Sequence, residues 1–557
     1  MFRTILSLLI LLHLSAWAVA QDVDVFFRKV SQEFHLDFEH HSPFTPERHL
    51  HLTMGSGVGW LDYDLDGRSD LYLAQGCAWR GSRSPVKNSP SDHLYRNLGT
   101  RFQNANQAGI QNLAYGMGIA IGDFNNDGFP DVYVTNFGPN ILFCNNGDGS
   151  FSEITTQELL NDSGYGASTT WIDVEPDGDL DLFVTNYLDI EDANYILCQA
   201  SEGKKSVSIA CPPWRCPGSK DLYFENLGNG EFSNSAAKVG LDQGEALAGL
   251  GVVAADLNDD GFTDLFVASD SNVNQLWKNT GKGSFSEMGL LSGTALNREG
   301  EREAGMGVAI ADFDHTGSLD LFLTHYFQET NTLYKNLGGL FFLDVTDELG
   351  MAGPSRPRLS FGTILSDFSG DGYPDCFIAN GHIHDLLPKI NRDVPFEQAP
   401  QLFVNNQGKR FSSVSQSAGD YFQVPSVGRG AAAADFNADG RMDIAVQHLN
   451  GPVALLLNET EIDGIPISIQ LIGIRQARDP IGAKVRMRID QRDLIFTYEG
   501  SSSYLSSNER KITTLLKHNE KLERIDVVWT GGKVEYWEFP EKAPRLIQLV
   551  EGTGQSQ

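Results

Sequence analysis

The chain has 557 residues, which is long enough for two or more domains. Its 42 basic and 73 acidic side chains give a formal net charge of -31, which argues against nucleic acid as a partner because the phosphates would be repelled. Hydrophobic residues make up 41% of the chain and glycine occurs 57 times, which excludes a disordered acidic tail and favours a folded, glycine-rich β protein.

The N-terminus, residues 1–20, predicts a signal peptide. Arg3 precedes an apolar run that ends in Ala18-Val19-Ala20, a small-residue cleavage site. A membrane anchor is the alternative, but the run is short for a span, and no later segment is long enough to cross a bilayer. We therefore expect a secreted, periplasmic or cell-surface protein, in a compartment where disulfides can form.

A nine-residue pattern occurs seven times after this segment. The second copy, at 123–131, reads DFNNDGFPD. Positions 1, 3 and 5 carry oxygen in nearly every copy, position 6 is always Gly and position 9 is always Asp. Calcium binds six to eight hard oxygen ligands, and Gly at position 6 allows the chain to turn sharply around the ion. The candidate calcium ligands are Asp62, Asp64, Asp66, Asp70, Asp123, Asn125, Asp127, Asp131, Asp173, Glu175, Asp177, Asp181, Asp256, Asn258, Asp260, Asp264, Asp312, Asp314, Asp320, Asp367, Ser369, Asp371, Asp375, Asp435, Asn437, Asp439 and Asp443.

Two other interpretations of this pattern fit less well. An EF-hand loop closes with Glu at position 12, where the first two copies have Leu73 and Val134. A plain Asp-Gly hairpin would not require Asp at position 9 in all seven copies. Thr316 at position 5 of the fifth copy predicts a weaker site there, and Ser369 in the sixth is a milder loss.

A second motif, L-Y-x-N-x-G-x-G-x-F, alternates with the first; one copy is QLWKNTGKGSF at 275–285. Apolar alternation on both sides of a glycine-rich turn predicts a hairpin. Each unit then has four short strands, and seven units predict an all-β, seven-bladed β-propeller over 21–460. The seventh unit lacks its last strand. The N-terminal segment 27–30 resembles the missing one, so we expect it to complete that blade; an unrelated, loose N-terminus is the alternative.

These units resemble the FG-GAP/VCBS repeats of integrin-α-like propellers. The tail, 461–557, is predicted to be a small β-sandwich-like domain and resembles the ASPIC/UnbV domain of the cartilage acidic protein family. The resemblance depends on DPIGAKV at 479–485, GSSSYLSS at 500–507 and VVWTGG at 527–532. The family has Asn, Gln and Pro where this chain has Asp479, Ser507 and Thr530, so no ligand role is carried over to those positions.

Strand order places the metal loops on one propeller face and the longest insertions on the other. These insertions are 31–55, 76–92, 187–220 and 380–400. Loops on a rigid scaffold often carry recognition, so we expect structural calcium on one face and a binding surface on the other. The insertion face also collects histidines: His40, His41, His49, His51, His325, His382 and His384, with Asp385. They could hold a transition metal or serve acid–base chemistry, but polar loop histidines bonded to the backbone are the favoured interpretation.

Three of the six cysteines lie in one insertion. The favoured disulfide is Cys198–Cys211, and a pair that involves Cys216 is an alternative. Cys376 replaces the Val or Leu of other copies and is expected to be a buried thiol.

Two functions are consistent with the sequence. The first is a secreted, calcium-stabilised binding protein for adhesion or for recognition of a protein or glycan at the cell surface. The second is an extracytoplasmic enzyme that acts on glycans through the histidine-bearing face. No nucleophile elbow, H-E-x-x-H or phosphate loop is present, so the binding protein is favoured.

Overall fold

The computed structural model describes residues 25–77, 89–154, 162, 164–189, 196–462, 464–490 and 492–556. The predicted signal peptide lies outside this part of the chain, as does most of the 76–92 insertion. Seven antiparallel four-stranded sheets are described, and we number them 1 to 7 along the chain. The strands are given from the innermost outwards. Sheet 1 comprises Val58–Leu61, Asp70–Leu73, His93–Asn97 and Phe102–Asn104, and sheet 2 comprises Gly116–Gly122, Asp131–Asn136, Gly138–Asn145 and Phe151–Ile154. Sheet 3 comprises Gly166–Ile172, Asp181–Asn186, Leu222–Asn226 and Phe232–Asn234, and sheet 4 comprises Gly249–Ala255, Asp264–Ser269, Gln275–Asn279 and Phe285–Glu287. Sheet 5 comprises Val308–Ala311, Asp320–Leu323, Thr332–Asn336 and Phe342–Asp344, and sheet 6 comprises Ser360–Ser366, Asp375–Asn380, Gln401–Asn405 and Phe411–Ser413. Sheet 7 comprises Gly428–Ala434, Asp443–His448, Ala454–Asn458 and Phe27–Lys29.

The sheets form a closed ring. The innermost strand of each sheet contacts the innermost strand of the next, and that of sheet 7 contacts that of sheet 1. The outer strand of sheet 7 comes from the N-terminus, with Phe27 opposite Asn458 and Lys29 opposite Leu456, as the sequence predicts. The all-β class is confirmed, and the arrangement is that of a β-propeller, in which ring closure leaves only short outer edges unpaired.

Apolar side chains fill the spaces between neighbouring sheets, because each sheet buries both of its faces. Between sheets 7 and 1, for example, Trp60 packs against Phe436 with ring centroids 6.3 Å apart. Near the axis the inner strands approach so closely that small residues are required. A Cβ on Gly118 of sheet 2 would lie 2.2 Å from the carbonyl oxygen of Ala167 in sheet 3. Glycine in the strand GMGIAIG therefore serves ring closure as well as flexibility.

A cycle of seven asparagines links each sheet to the one before it. In each sheet the Asn of the L-Y-x-N motif donates from Nδ2 to the carbonyl at position 2 of the preceding metal loop. Asn145 bonds Tyr63 at 2.8 Å, and Asn97 of sheet 1 bonds Phe436 of sheet 7 at 2.8 Å. The five other bonds join Asn226 to Phe124, Asn279 to Val174, Asn336 to Leu257, Asn405 to Phe313 and Asn458 to Phe368. The second repeat motif thus closes the ring next to the first.

Short helical turns and one extra hairpin lie outside the sheets. The α-helical turns are His51–Met54, Ala236–Val239, Gly289–Ser292 and Ala352–Ser355, and the 3-10 turns are Asn106–Ala108, Pro213–Arg215, Leu387–Ile390 and Asp420–Gln423. The extra hairpin pairs Cys198–Glu202 with Lys205–Ile209. A Cys198–Cys211 disulfide closes its base, as the sequence favours, and Cys376 is a buried thiol.

The tail folds as two packed sheets. A three-stranded sheet comprises Ile512–Leu516, Ile465–Ile472 and Leu546–Val550. A five-stranded sheet comprises Arg492–Thr497, Lys484–Ile489, Leu522–Val528, Val534–Glu538 and Gln555–Ser556. Apolar residues of both sheets form one core, with Ile469 and Leu549 from the first and Met487 and Ile525 from the second. The predicted sandwich-like domain is therefore observed.

A loop of the tail, 500–508, enters the centre of the propeller; we call it the plug. Its backbone pairs with inner strands, with Ser503 N donating to Val308 O at 2.6 Å and Ser507 N to Val58 O at 3.0 Å. Ser503, Leu505 and Asn508 also bond to sheets 6, 2 and 7. A Cβ on Gly57 would lie 1.6 Å from Leu505 O. The plug thus fills the axis and joins the two domains.

Candidate functional site

Six of the seven acidic loops share one set of hydrogen bonds, and loop 3 lacks it because both oxygens of Asp173 are buried without a donor. In the second loop, the Asp123 carboxylate accepts the N–H groups of Asp127 at 3.0 Å and of Gly128 at 2.8 Å. The same two bonds recur in loops 1, 4, 5, 6 and 7. These bonds hold the position-1 carboxylate against the turn, so that the side chains at positions 3 and 5 point to the same side.

Position 6 adopts the conformation that the sequence predicts. All seven glycines have positive φ, between +86° at Gly261 and +100° at Gly178. Position 4 is also left-handed, although it is not glycine in six copies; Asn126 has φ 59° and Ala438 also has φ 59°. L-residues adopt this region at a cost in conformational energy, so the loop must be held in place by its side-chain bonds.

The position-9 aspartates lie deeper than the others and tie the loop to the strands. Asp131 is fully buried; it accepts Phe124 N–H at 3.1 Å and Asn145 N–H at 2.8 Å. Burial, together with the neighbouring Asp123 carboxylate, raises the pKa of Asp131 to about 8. Asp70 and Asp320 have the same environment, with pKa values also raised by burial to about 8. A nearby cation would offset this cost of charge.

The donor set fits a hard cation. The ligand oxygens of Asp62, Asp64 and Asp66 lie within 4.8 Å of one another, and those of Asp312, Asp314 and Asp320 do so too. One oxygen of Asp64 and one of Asp314, both at position 3, are buried and accept no hydrogen bond. A buried carboxylate oxygen without a donor is costly, and oxygen-only clusters suit Ca²⁺ rather than softer metals.

In three loops, a basic side chain at the x position of L-Y-x-N lies against these carboxylates. Arg96 contacts Asp64 Oδ2 at 2.5 Å, Lys278 contacts Asp260 Oδ2 at 3.2 Å, and Lys335 contacts Asp314 Oδ2 at 2.5 Å. In loops 6 and 7 the x position is Val or Leu. Loops 1, 4 and 5 therefore have a counter-charge from the L-Y-x-N strand, whereas in loop 7 Arg441 of the loop itself pairs with Asp439.

The tail domain covers the face that carries these loops. Lys484 is buried, pairs with Asp259 of loop 4 and donates to Gly317 O of loop 5 at 2.7 Å. Arg492 reaches Asp371 O of loop 6 at 3.2 Å, and Lys511 reaches Gly67 O of loop 1 at 3.1 Å. Contacts to loops 2, 3 and 7 come from Arg478, Arg475 and Pro466. Basic residues of the tail thus meet the acidic rim of the ring.

The opposite face is built from the insertions, which converge. Arg48 of the 31–55 insertion holds Asp385 of the 380–400 insertion through two bonds of 2.9 Å. Arg429, fully buried in sheet 7, donates to Thr53 O at 2.6 Å and to His382 O at 3.1 Å and lies 4.0 Å above the Phe361 ring. Burial lowers the pKa of Arg429 to about 9. One guanidinium therefore joins two insertions separated by over 300 residues in sequence.

The histidines of this face pack inside it. His40, His51, His325 and His382 are each at most 2% exposed. Burial lowers the pKa of His40 and His382 to about 3 and that of His384 to about 4. His382 Nδ1 accepts the backbone N–H of His384, and the His51 ring stacks on Phe137 at 3.9 Å. In the described part of the chain they form no three-residue metal cluster. The favoured interpretation, loop histidines bonded to the backbone, is met at His382 and at His40, whose Nδ1 accepts Asn450 N–H at 3.2 Å.

Sequence reasoning missed two structural devices. The asparagine of L-Y-x-N recurs in all seven copies, so the pattern was visible, but its bond to the preceding sheet was not. Arg429 has no counterpart in the other inner strands, where the equivalent positions in GMG and GLG are apolar. A lone arginine inside an alanine- and glycine-rich strand is a signal that could have been found.

Comparison with known proteins agrees with this architecture. The FG-GAP-like repeat family matches residues 62–134, 123–184, 256–323 and 367–446, and the ASPIC and UnbV family matches 473–556. Cartilage acidic protein 1 from Xenopus tropicalis is 23% identical over 70% of this chain, and the human protein is 25% identical over 49%. The chain spans 57% of the length of the first relative and 38% of the second.

Two lectins of known structure are distantly similar. The BP39L lectin from Burkholderia pseudomallei is 10% identical, with a TM-score of 0.45, over 74% of this chain and 98% of its own. A lectin from Agrocybe aegerita that recognises non-reducing terminal N-acetylglucosamine is 15% identical, with a TM-score of 0.37, over 73% of this chain and 95% of its own. These similarities are too distant to support a functional argument.

Repeats and tail together define the class: this is an FG-GAP repeat β-propeller with a C-terminal ASPIC and UnbV domain. The relatives narrow it further: the chain is similar to cartilage acidic protein 1 of Xenopus tropicalis, Homo sapiens and Mus musculus, at 22–25% identity.

Proposed function

We propose that the protein is an exported, calcium-stabilised recognition protein that binds an extracellular protein or glycan through its insertion face. Calcium would be held by the position-1, 3, 5 and 9 side chains of the seven loops, and it would supply charge neutralisation and cross-linking rather than a reaction. The single observation that supports the choice of face is the tail domain, which contacts all seven loops and so occupies the other face.

Calcium fits the loops by charge as well as by geometry. Each loop places three or four oxygen-bearing side chains around one turn, and burial raises the pKa of the carboxylates at positions 1 and 9, as at Asp123 and Asp131. A divalent ion would favour their ionised forms and relieve the unpartnered oxygens of Asp64 and Asp314. Loop 5, where Thr316 replaces the acid and Lys335 adds a positive charge, should bind most weakly.

Two features support export. The first 20 residues have the character of a signal peptide, and a Cys198–Cys211 disulfide requires an oxidising compartment. In the described part of the chain, every helix is too short or too polar to span a bilayer.

The insertion face is suited to recognition because it is rigid. The Arg48–Asp385 pair, Arg429 and the disulfide fix loops that would otherwise be mobile. A preorganised surface loses little conformational entropy on binding. The enzyme alternative has no specific support in the geometry, because four of the seven histidines that it would use are buried within the face.

A binding array of glycans and extracellular proteins tests the proposal. We expect a ligand that is captured by the wild-type protein in calcium and lost after Arg48→Glu, which breaks the Arg48–Asp385 pair on the insertion face. The matched control is Arg524→Glu in the tail, where the guanidinium pairs with Asp526. Capture that depends on Arg524 instead, or ligand turnover abolished by His382→Ala and His384→Ala, would contradict the proposal.

A further inference from the structure

The disulfide-closed hairpin of the insertion face is basic, although the protein is acidic. Residues 203–220 hold four basic side chains and no acidic one, in a chain of net charge -31. Lys204 and Lys205 are at the tip of the hairpin, and Arg215 lies in the 3-10 turn after its base. All three are exposed. A positively charged patch on a protein that is otherwise negative attracts anions to that patch.

A second segment adds to this charge. The turn Leu387–Ile390 packs on the hairpin, and Leu387 and Ile390 form a small core with Ala200. Lys205 Nζ donates to Asn391 Oδ1 at 3.1 Å, and Arg392 donates to Ser201 O at 3.3 Å. Lys389 and Arg392 thereby join the hairpin lysines, although about 190 residues separate them in sequence. We call these five side chains, Lys204, Lys205, Arg215, Lys389 and Arg392, the basic cap.

The acidic groups described beside the basic cap are few. Glu202 lies 3.7 Å from Arg392, where both side chains are largely exposed, so this pair is weakened by water and salt. Asp393 follows Arg392 and is exposed. Three of the five positive charges are therefore not offset by these two carboxylates, and a ligand with several negative charges can engage them together.

The side chains among these charges are of the kind that bind sugars. Gln199, Ser201 and Ser206 are exposed on the hairpin and offer amide and hydroxyl groups. Trp214 is 72% exposed, and Leu197, on the other side of the disulfide, is 61% exposed. The Trp214 indole lies in the 3-10 turn that follows the disulfide and presents a flat apolar face. Such a face can stack on a sugar ring.

From this combination we infer that the basic cap binds an anionic polysaccharide, one whose sugars carry sulfate or carboxylate groups. The lysines and arginines pair with those groups, the serine and glutamine side chains bond sugar hydroxyls, and Trp214 packs on a ring face. Nucleic acid is the competing polyanion, and duplex DNA in the test below distinguishes it from a polysaccharide. The inference rests on the proposed function and names the ligand class of that face.

The test measures binding of the full-length protein, in calcium, to immobilised heparin, polygalacturonate, neutral dextran, duplex DNA and polyglutamate. Heparin and polygalacturonate separate sulfate from carboxylate recognition. We expect binding to at least one of them, none to dextran, and an affinity that falls steadily as salt increases.

Two variants locate the site. Lys204→Ala/Lys205→Ala/Lys389→Ala should weaken binding about tenfold, the loss expected for three exposed ion pairs. Trp214→Ala should weaken it by about fivefold without changing the salt dependence, because stacking is not ionic. The matched control, Lys282→Ala/Lys521→Ala/Lys542→Ala, removes three exposed lysines elsewhere, gives the same net charge and should bind like wild type.

The outcomes separate the two proposals. Equal loss in the control, binding to neither polysaccharide, or tighter binding to DNA or polyglutamate through the same lysines would overturn the polysaccharide inference. Capture on the array of a ligand that depends on Arg48 but not on the basic cap would leave the proposed function standing and this inference refuted. Thermal melting of each variant checks that the fold is kept.

Discussion

Removing one asparagine of the interlocking cycle should destabilise the propeller measurably. Asn336 is 2% exposed, and its Nδ2 donates to Leu257 O at 2.8 Å and to Leu319 O at 2.9 Å. Its Oδ1 accepts Gly338 N–H at 2.9 Å. Asn336→Ala removes all three bonds and leaves buried backbone groups without a partner.

The expected cost follows from those three bonds. A net contribution of about 1 kcal/mol per bond, raised where a buried group is left unsatisfied, gives a loss of about 2–4 kcal/mol in the free energy of unfolding. The bond to Leu257 joins sheet 5 to sheet 4, so the loss weakens ring closure and not only one hairpin. With a urea m-value of about 3 kcal/mol per M, the unfolding midpoint should fall by about 1 M.

Urea unfolding followed by tryptophan fluorescence and by far-UV circular dichroism measures this change. If the two probes give the same transition, unfolding is two-state, as the calculation assumes. Asn229→Ala is the matched control, because Asn229 lies in the equivalent turn of sheet 3 but is exposed and bonds only Glu231. A midpoint for Asn336→Ala within error of that for Asn229→Ala would refute the reasoning that the cycle holds the ring together.

Three further outcomes are expected. Tyr504→Ala in the plug should lower the free energy of unfolding by about 3–5 kcal/mol, because it empties a fully buried site against Phe361. Tyr504→Phe loses only the bond to Met54 O and should lower it by about 1 kcal/mol. Equal effects of the two variants in urea unfolding would contradict this. Excess EDTA should lower the melting temperature and calcium should restore it, since ions bound only by the folded loops stabilise by mass action, and an unchanged melting curve would count against the calcium proposal. Lys335→Ala removes the ammonium beside Asp314 and should increase the calcium affinity measured by titration calorimetry. Lys282→Ala, at an exposed lysine, should leave that affinity unchanged. Equal affinities for wild type and Lys335→Ala would argue that loop 5 holds no ion.

Most of the fold could be predicted from the repeat pattern, because the strands and turns of each unit depend on residues that are close together in sequence. Gly128 marks a left-handed turn, and the Phe27 segment matches the missing outer strand, so both could be predicted from the chain. Residue types also predict calcium at the acidic loops, because clustered carboxylates at alternate positions suit a hard cation, and this stays a prediction. These inferences need only neighbours in sequence or copies of the same unit.

Contacts between distant segments could be decided only by the tertiary structure. The plug motif at 500–507 was visible, but its place on the propeller axis depends on how the tail docks against all seven loops. The convergence of Arg48 with Asp385, and of Lys205 with Lys389 and Arg392, brings charges together across more than 180 residues. Periodicity and spacing describe one segment at a time, whereas such a surface exists only when packing energies select one arrangement of many segments.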